Sequence, residues 1–151
     1  MWLDANDVTT ITESSGSVSQ WNDKSGNGNN ATQGTGSAQP TTGVQTSNGK
    51  NVLQFDGSDE FDWASGFLNS YDGDSTTFVV SRRDVDTGTQ VLLASTSNKL
   101  AFFYGSAGEV LFRSNNSATN SVTNTGNTTT DFLLLRGRRE GTTQALSIIG
   151  S

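Results

Sequence analysis

The chain has no cysteine, no histidine and a single proline, Pro40, among its 151 residues. Without cysteine there is no disulfide framework, and thiols carry no information about redox compartment. Without histidine the commonest zinc ligand and the usual general base near neutral pH are both missing. Ser-His-Asp, Cys-His and zinc-hydrolase chemistry are therefore excluded by inventory. Charge is sparse too, at 16% of residues, which is not the profile of a highly charged disordered chain. No helical period outlasts one turn, and no repeat of about 20 to 50 residues is visible, which argues against bundles, propellers and solenoids. No apolar run approaches the about 20 residues that a membrane-spanning helix needs. Met1-Trp2-Leu3-Asp4 begins without a basic and apolar leader, so the expectation is a chain that leaves the cell by another route, as a virion protein does on lysis, or a module excised from a secreted protein.

What is present is polar and small. Ser, Thr, Asn and Gly make up nearly half of the chain, a composition that suits short strands joined by many turns in one sandwich or jelly-roll domain spanning residues 1–151. The net charge of −6 is uneven: residues 1–80 carry ten acids and two lysines, residues 81–151 five acids and seven bases. An acidic first half argues against a nucleic-acid surface and points to a cation or a glycan as partner.

The second half reads as strands over Thr76 to Arg83, Gln90 to Ser95, Lys99 to Tyr104, Glu109 to Arg113, Asp131 to Arg136 and Gln144 to Ile149. Each is a short apolar, aromatic or β-branched run bounded by turn residues. Alternation places Leu100, Phe102 and Tyr104 on one face, and sets Val110 and Phe112 against Glu109, Leu111 and Arg113. Asn115 to Thr130 has no large apolar residue but Val122, so it is expected as an exposed loop or a strand wet on both faces. The first half is loop-rich, anchored at Trp2-Leu3, Val18 to Trp21 and Val52 to Phe55, with a polar surface excursion over Gln33 to Lys50.

Two motifs dominate that half. The first is Trp21-Asn22-Asp23-Lys24-Ser25-Gly26-Asn27-Gly28-Asn29-Asn30, and the second is Val52-Leu53-Gln54-Phe55-Asp56-Gly57-Ser58-Asp59. Each sets an aromatic anchor beside a tight loop of Asp, Asn and Gly, residues that tolerate left-handed backbone and cap turns with their own side chains. Their order resembles the LamG/concanavalin A-like lectin and glucanase superfamily over residues 2–63. The resemblance implies an all-β concanavalin A-like jelly roll of antiparallel strands and a carbohydrate-binding role, with bacteriophage fibres, knobs and capsid decorations among its settings. Members of that superfamily usually add closing strands after the pair seen here as Asp131 to Arg139 and Gln144 to Ile149. Their lack implies an uncovered sheet edge, which is completed in a homo-oligomer or a larger assembly such as a virion, or else a naturally compact variant or a truncated chain.

Chemistry-bearing residues are few. Glu60-Phe61-Asp62-Trp63 resembles the start of the E-x-D-x-x-E strand of laminarinase-like glucanases, but Ala64 and Ser65 stand where a second glutamate would fall. A retaining glycosidase needs two carboxyls about 5 Å apart, so the expectation is a non-catalytic domain. Asp23, Asp56 and Asp59 are the candidate calcium ligands, since calcium takes six to eight oxygens of the kinds such loops supply; the same aspartates could equally cap turns with no metal. Trp63, Tyr71 and Asn27 are the candidate glycan contacts, because pyranose rings stack on exposed aromatic faces while amides bind the hydroxyls. Trp21 reads as core. Arg136, Arg138 and Arg139, around Gly137, read as a solvated strand end. The expected protein is a lectin-like binding domain for a glycan or cell-surface polysaccharide, virion-borne or extracellular, or else a structural assembly subunit that has no sugar site.

Overall fold

The computed structural model describes residues 1–64, 73–84, 88–95, 100–106, 108–114, 121–124 and 131–149, the stretch 121–124 by its backbone alone. The protein is all-β: regular structure among these residues consists of antiparallel strands and two short 3-10 turns, Val8–Thr10 and Gly36–Ala38. The chain divides into two compact units, Met1–Phe67 and Leu68–Ser151.

In the first unit, β1 (Ile11–Ser14), β2 (Ser17–Trp21), β3 (Ala31–Thr32) and β6 (Asp62–Trp63) form one sheet in that order, and β4 (Thr46–Ser47) pairs with β5 (Lys50–Asn51) in a small hairpin. That hairpin turns through Asn48 and Gly49, with φ of 49° and 72°. Asn-Gly is the pair that accepts left-handed backbone at both central positions, so the turn is written into the sequence. The polar excursion over 33–50 is pinned at its middle, since Val18 N–H donates to Pro40 O and Thr41 exchanges two backbone bonds with Gln54. Pro40 is fully buried.

The second unit is a two-layer sandwich. β11 (Ser121–Asn124), β10 (Val110–Ser114), β9 (Leu100–Tyr104) and β8 (Gln90–Ala94) make one sheet; β13 (Thr143–Ile148), β12 (Leu133–Glu140) and β7 (Ser75–Ser81) make the other. All six strands expected in this half are present. Leu100, Phe102 and Tyr104 share a buried face with Val110 and Phe112, and Leu133 and Leu135 of the opposite sheet are buried as well. These rows are the core. Only four residues, Ser121–Asn124, of the polar segment expected as loop or wet strand are described, and they pair with β10 along its outer edge.

The arginines around Gly137 lie at the end of their strand, as expected: β12 runs to Glu140, in register with β7 as far as Arg139 and with β13 from Leu135 to Glu140, and Arg138 is exposed just before the turn. Gly137 is what lets this end pack closely. A Cβ built there would meet the rings of Phe112 and Phe102, which lie tilted against each other with centroids 4.9 Å apart. Glycine lets the arginine-bearing end of β12 lie flush on the opposite layer, so the strand passes the point where its apolar run stops. Gly137→Ala should cost about 2 kcal/mol, the scale of overpacking a filled core. Urea unfolding should show a lower midpoint at unchanged slope; an unaltered midpoint would mean that the layers are not in close contact here.

Candidate functional site

Asp23 organises the first loop. Its carboxylate is buried and accepts four N–H bonds. Oδ1 takes Trp2 N at 2.8 Å and Ser25 N at 2.9 Å, and Oδ2 takes Asn29 N and Asn29 Nδ2, both at 3.2 Å. Burial pushes this carboxyl up, but the backbone donors of Trp2, Ser25 and Asn29 outweigh it and hold the pKa far below the ordinary carboxylate range. The loop closes on itself when Asp23 N donates to Asn30 Oδ1 at 2.9 Å. Next along the chain, Lys24 reaches back to Asp4 at 3.0 Å and Asp7 at 2.8 Å and lies 4.5 Å from the centroid of the Trp2 ring.

The second loop is capped separately. Asp56 Oδ1 accepts Ser58 N at 2.8 Å and Ser58 Oγ at 2.7 Å, while Asp59 Oδ2 accepts Asp56 N at 2.9 Å. The Ser58 hydroxyl and N–H lower the Asp56 pKa. Among the described residues no three acidic side chains gather as a metal site would require. In this structure the oxygens of Asp23 accept N–H donors, while Asp56 and Asp59 brace a different turn.

The aromatic residues do come together. Trp21, Ala31 and Trp63 are cross-strand neighbours in one row of the sheet, with Ile11 at its end. Phe61 lies beside Trp21 with centroids 6.3 Å apart, and Phe55 meets Phe61 edge-on at 5.9 Å. Phe55 remains 47% exposed, directly before the Asp56–Asp59 turn. Trp21 and Trp63 are half-buried, and the indole Nε1 of each is shut off from solvent without a hydrogen-bond partner. Trp63 is thus positioned by β6, whereas Asn27 stands exposed in the first loop with its Nδ2 on Ser25 Oγ at 3.0 Å. Tyr71 lies outside the described residues. Phe55 and Phe61 were not among the sequence candidates. The signal for Phe61 was the two-residue alternation Glu60-Phe61-Asp62-Trp63, which puts both rings on one face and both carboxylates on the other.

Comparison with family models, curated proteins and solved structures finds no match for this chain.

Two outcomes follow from the Asp23 geometry. Its folded pKa is depressed, so its contribution is complete above the unfolded value of about 4 and is lost as pH falls from there toward the lowered folded value. Asp23→Asn should cost about 3 kcal/mol at neutral pH, the scale of bonds to a charged acceptor, and should flatten the stability profile below about pH 4. An unchanged acid limb would remove Asp23 from this role. Thermal melts of the wild-type chain in calcium and in chelator should superimpose, because Asp23 already has its ligands. A calcium-dependent rise, abolished by Asp56→Ala, would instead assign a metal to these loops.

Proposed function

We propose that this chain is a non-catalytic, lectin-like recognition domain of the concanavalin A-like jelly-roll type, which binds carbohydrate on a cell surface and is carried on a bacteriophage virion or by a secreted protein. The observation that carries the reading is the Phe55, Phe61, Trp21 and Trp63 cluster. An exposed ring is held from behind by a second ring and stands beside a turn stiffened by carboxylate caps. Sugar recognition asks for a rigid apolar platform with polar groups at its rim. Here the rim is the Asp56–Asp59 turn, whose side chains hold their own backbone and so need no reordering when a ligand arrives.

The carboxylates near the platform suit binding better than hydrolysis. Asp62 is exposed on β6 opposite Thr32, and Glu60 is exposed, its backbone bonded to Ala38 and Gln33. Ala64, two residues on from Asp62, brings no third acid to that face. Glycoside hydrolysis requires a pair of carboxyls held at a fixed separation across the bond, and Glu60 and Asp62 alternate onto the face opposite the rings of Phe61 and Trp63.

A glycan array should therefore show retention of the wild-type chain. Phe55→Ala should weaken it at least about tenfold, the scale of losing one aromatic anchor, with an unchanged far-ultraviolet circular dichroism spectrum. Trp63→Phe, which keeps a ring and deletes only an unpartnered N–H, should retain the fold. Absence of retention on any glycan, with the protein folded, would overturn the proposal. Incubation with laminarin should release no reducing ends; release abolished by Glu60→Gln would make the protein a hydrolase.

A further inference from the structure

The outer face of β7 is left bare. Phe78 is 60% exposed and Val80 66% exposed, each directly opposite a residue of β12, Arg136 and Leu134 respectively. Among the described residues β7 is also the end strand of its sheet, bonded to β12 on one side only. It is the longest edge strand among the described residues and contains no charge, no proline and no bulge. By contrast β8 is interrupted by a register shift between Val91 and Leu93, and β11 is short and polar. Bulges, short lengths and charges are the usual ways to block edge pairing, and β7 uses none within its span.

The charges that flank β7 are arranged in a self-complementary way; within the chain Arg82 pairs with Asp84 at 2.8 Å and Asp74 accepts the Gly141 N–H at 2.6 Å, so pairing with a mate redirects these groups. Burial alternates along it from Asp74 to Arg82, so that Asp74, Thr76, Phe78, Val80 and Arg82 all lie on the exposed side. If two copies of β7 pair antiparallel about a two-fold axis through Phe78, then Phe78 faces Phe78, Thr76 faces Val80, and Asp74 faces Arg82 on both sides of the axis. Neighbouring symmetric registers fare worse. Centring on Thr77 sets Asp74 against Val80, and centring on Val79 sets Asp74 against Asp84. Opposite charges and aromatic pairs directly across strands stabilise a sheet, whereas like charges oppose it.

We propose that β7 is a homodimerisation edge, and that a second copy of this chain adds its own β7 antiparallel with Phe78 on the two-fold axis. The pairing joins the two three-stranded sheets into one of six strands and satisfies both open edges at once, so the contact is closed rather than propagating. It covers Phe78 with the Phe78 of the mate and Val80 with its Thr76. This inference is independent of the glycan reading, since it rests on the other unit of the chain and on no residue of the aromatic platform.

The native absence of cysteine makes the register directly readable. On mild oxidation of the full chain, Phe78→Cys should form a covalent dimer, because residues directly opposite across a strand pair lie within disulfide reach. Thr76→Cys and Val80→Cys should each fail to cross-link alone, their own copies being about 13 Å apart along the strands, and should cross-link when mixed. Sedimentation should show a concentration-dependent monomer–dimer equilibrium. Asp74→Arg should weaken dimerisation about tenfold through two like-charge contacts, and the double swap of Asp74→Arg with Arg82→Asp should restore it. Far-ultraviolet circular dichroism will verify that each variant is folded. A wild-type chain that stays monomeric, a Phe78→Cys that cross-links no faster than Thr76→Cys, or growth into fibres would each overturn the proposal.

Discussion

A buried carboxylate is the fixed point of the first unit. Short strands of two to five residues cannot close a sheet by ladder bonds alone, and the loops between them expose backbone N–H groups that must find acceptors. Asp23 supplies acceptors for three segments at once: the chain start at Trp2, its own turn at Ser25, and the return of the loop at Asn29. The adjacent Lys24 repeats the clasp with charge, holding Asp4 and Asp7, while its backbone N–H donates to Trp2 O. Asn51 does comparable work further along, reaching Ala5 and Thr42 with one amide nitrogen. Polar side chains thus replace both disulfides and a deep apolar interior in organising these loops.

The second unit is held by the opposite means. Its core is a stack of fully buried aromatic and aliphatic residues from facing sheets, and its tightest requirement is the missing side chain at Gly137. The burial of Arg83 belongs to this packing: its Nη1 donates to Gly105 O at 3.0 Å and its guanidinium lies 5.1 Å from the Tyr104 ring centroid. Tyr104 in turn shares a hydrogen bond with Ser81 at 2.9 Å, and burial raises its pKa. A cation admitted to such a place needs an aromatic face and a carbonyl, and here it has both.

The sequence was most legible where periodicity was strong. Six of the seven described strands of the second unit follow from short apolar or alternating runs bounded by turn residues, because one face is buried and the pattern has only one way to satisfy it; the polar β11 does not. The end of β12 was legible as a strand end, but its close packing was not. Arg136 to Glu140 carries no apolar alternation, and the strand lies flush there through contact between Gly137 and rings that are 25 and 35 residues away in the chain, a relation that a local pattern cannot express. In the first unit the Asp/Asn/Gly loops were legible as turns. Whether their carboxylates would hold backbone or metal was not, because both roles call for the same residues, and only the direction of each oxygen separates them. The aromatic platform was half-legible: Trp63 stood out by type, while Phe55 and Phe61 matter through a contact made by a loop folding back.

The two surfaces that remain available to partners differ in the same way as the units that bear them. Phe55 is exposed at the end of a capped loop, where neighbouring polar groups form a mixed rim, and in the proposed function this surface meets a ligand that is itself part apolar and part hydroxylated. Phe78 and Val80 are exposed on a regular strand whose neighbouring groups are backbone N–H and C=O, so the natural complement is another strand. A chain with few charges and many small polar residues has little to repel either partner, and specificity must come from position. At the loop it comes from the stiffness that the carboxylate caps confer. At the edge, in the proposed pairing, it comes from Asp74 and Arg82, which stand four residues either side of Phe78 and face each other in only one of the adjacent registers.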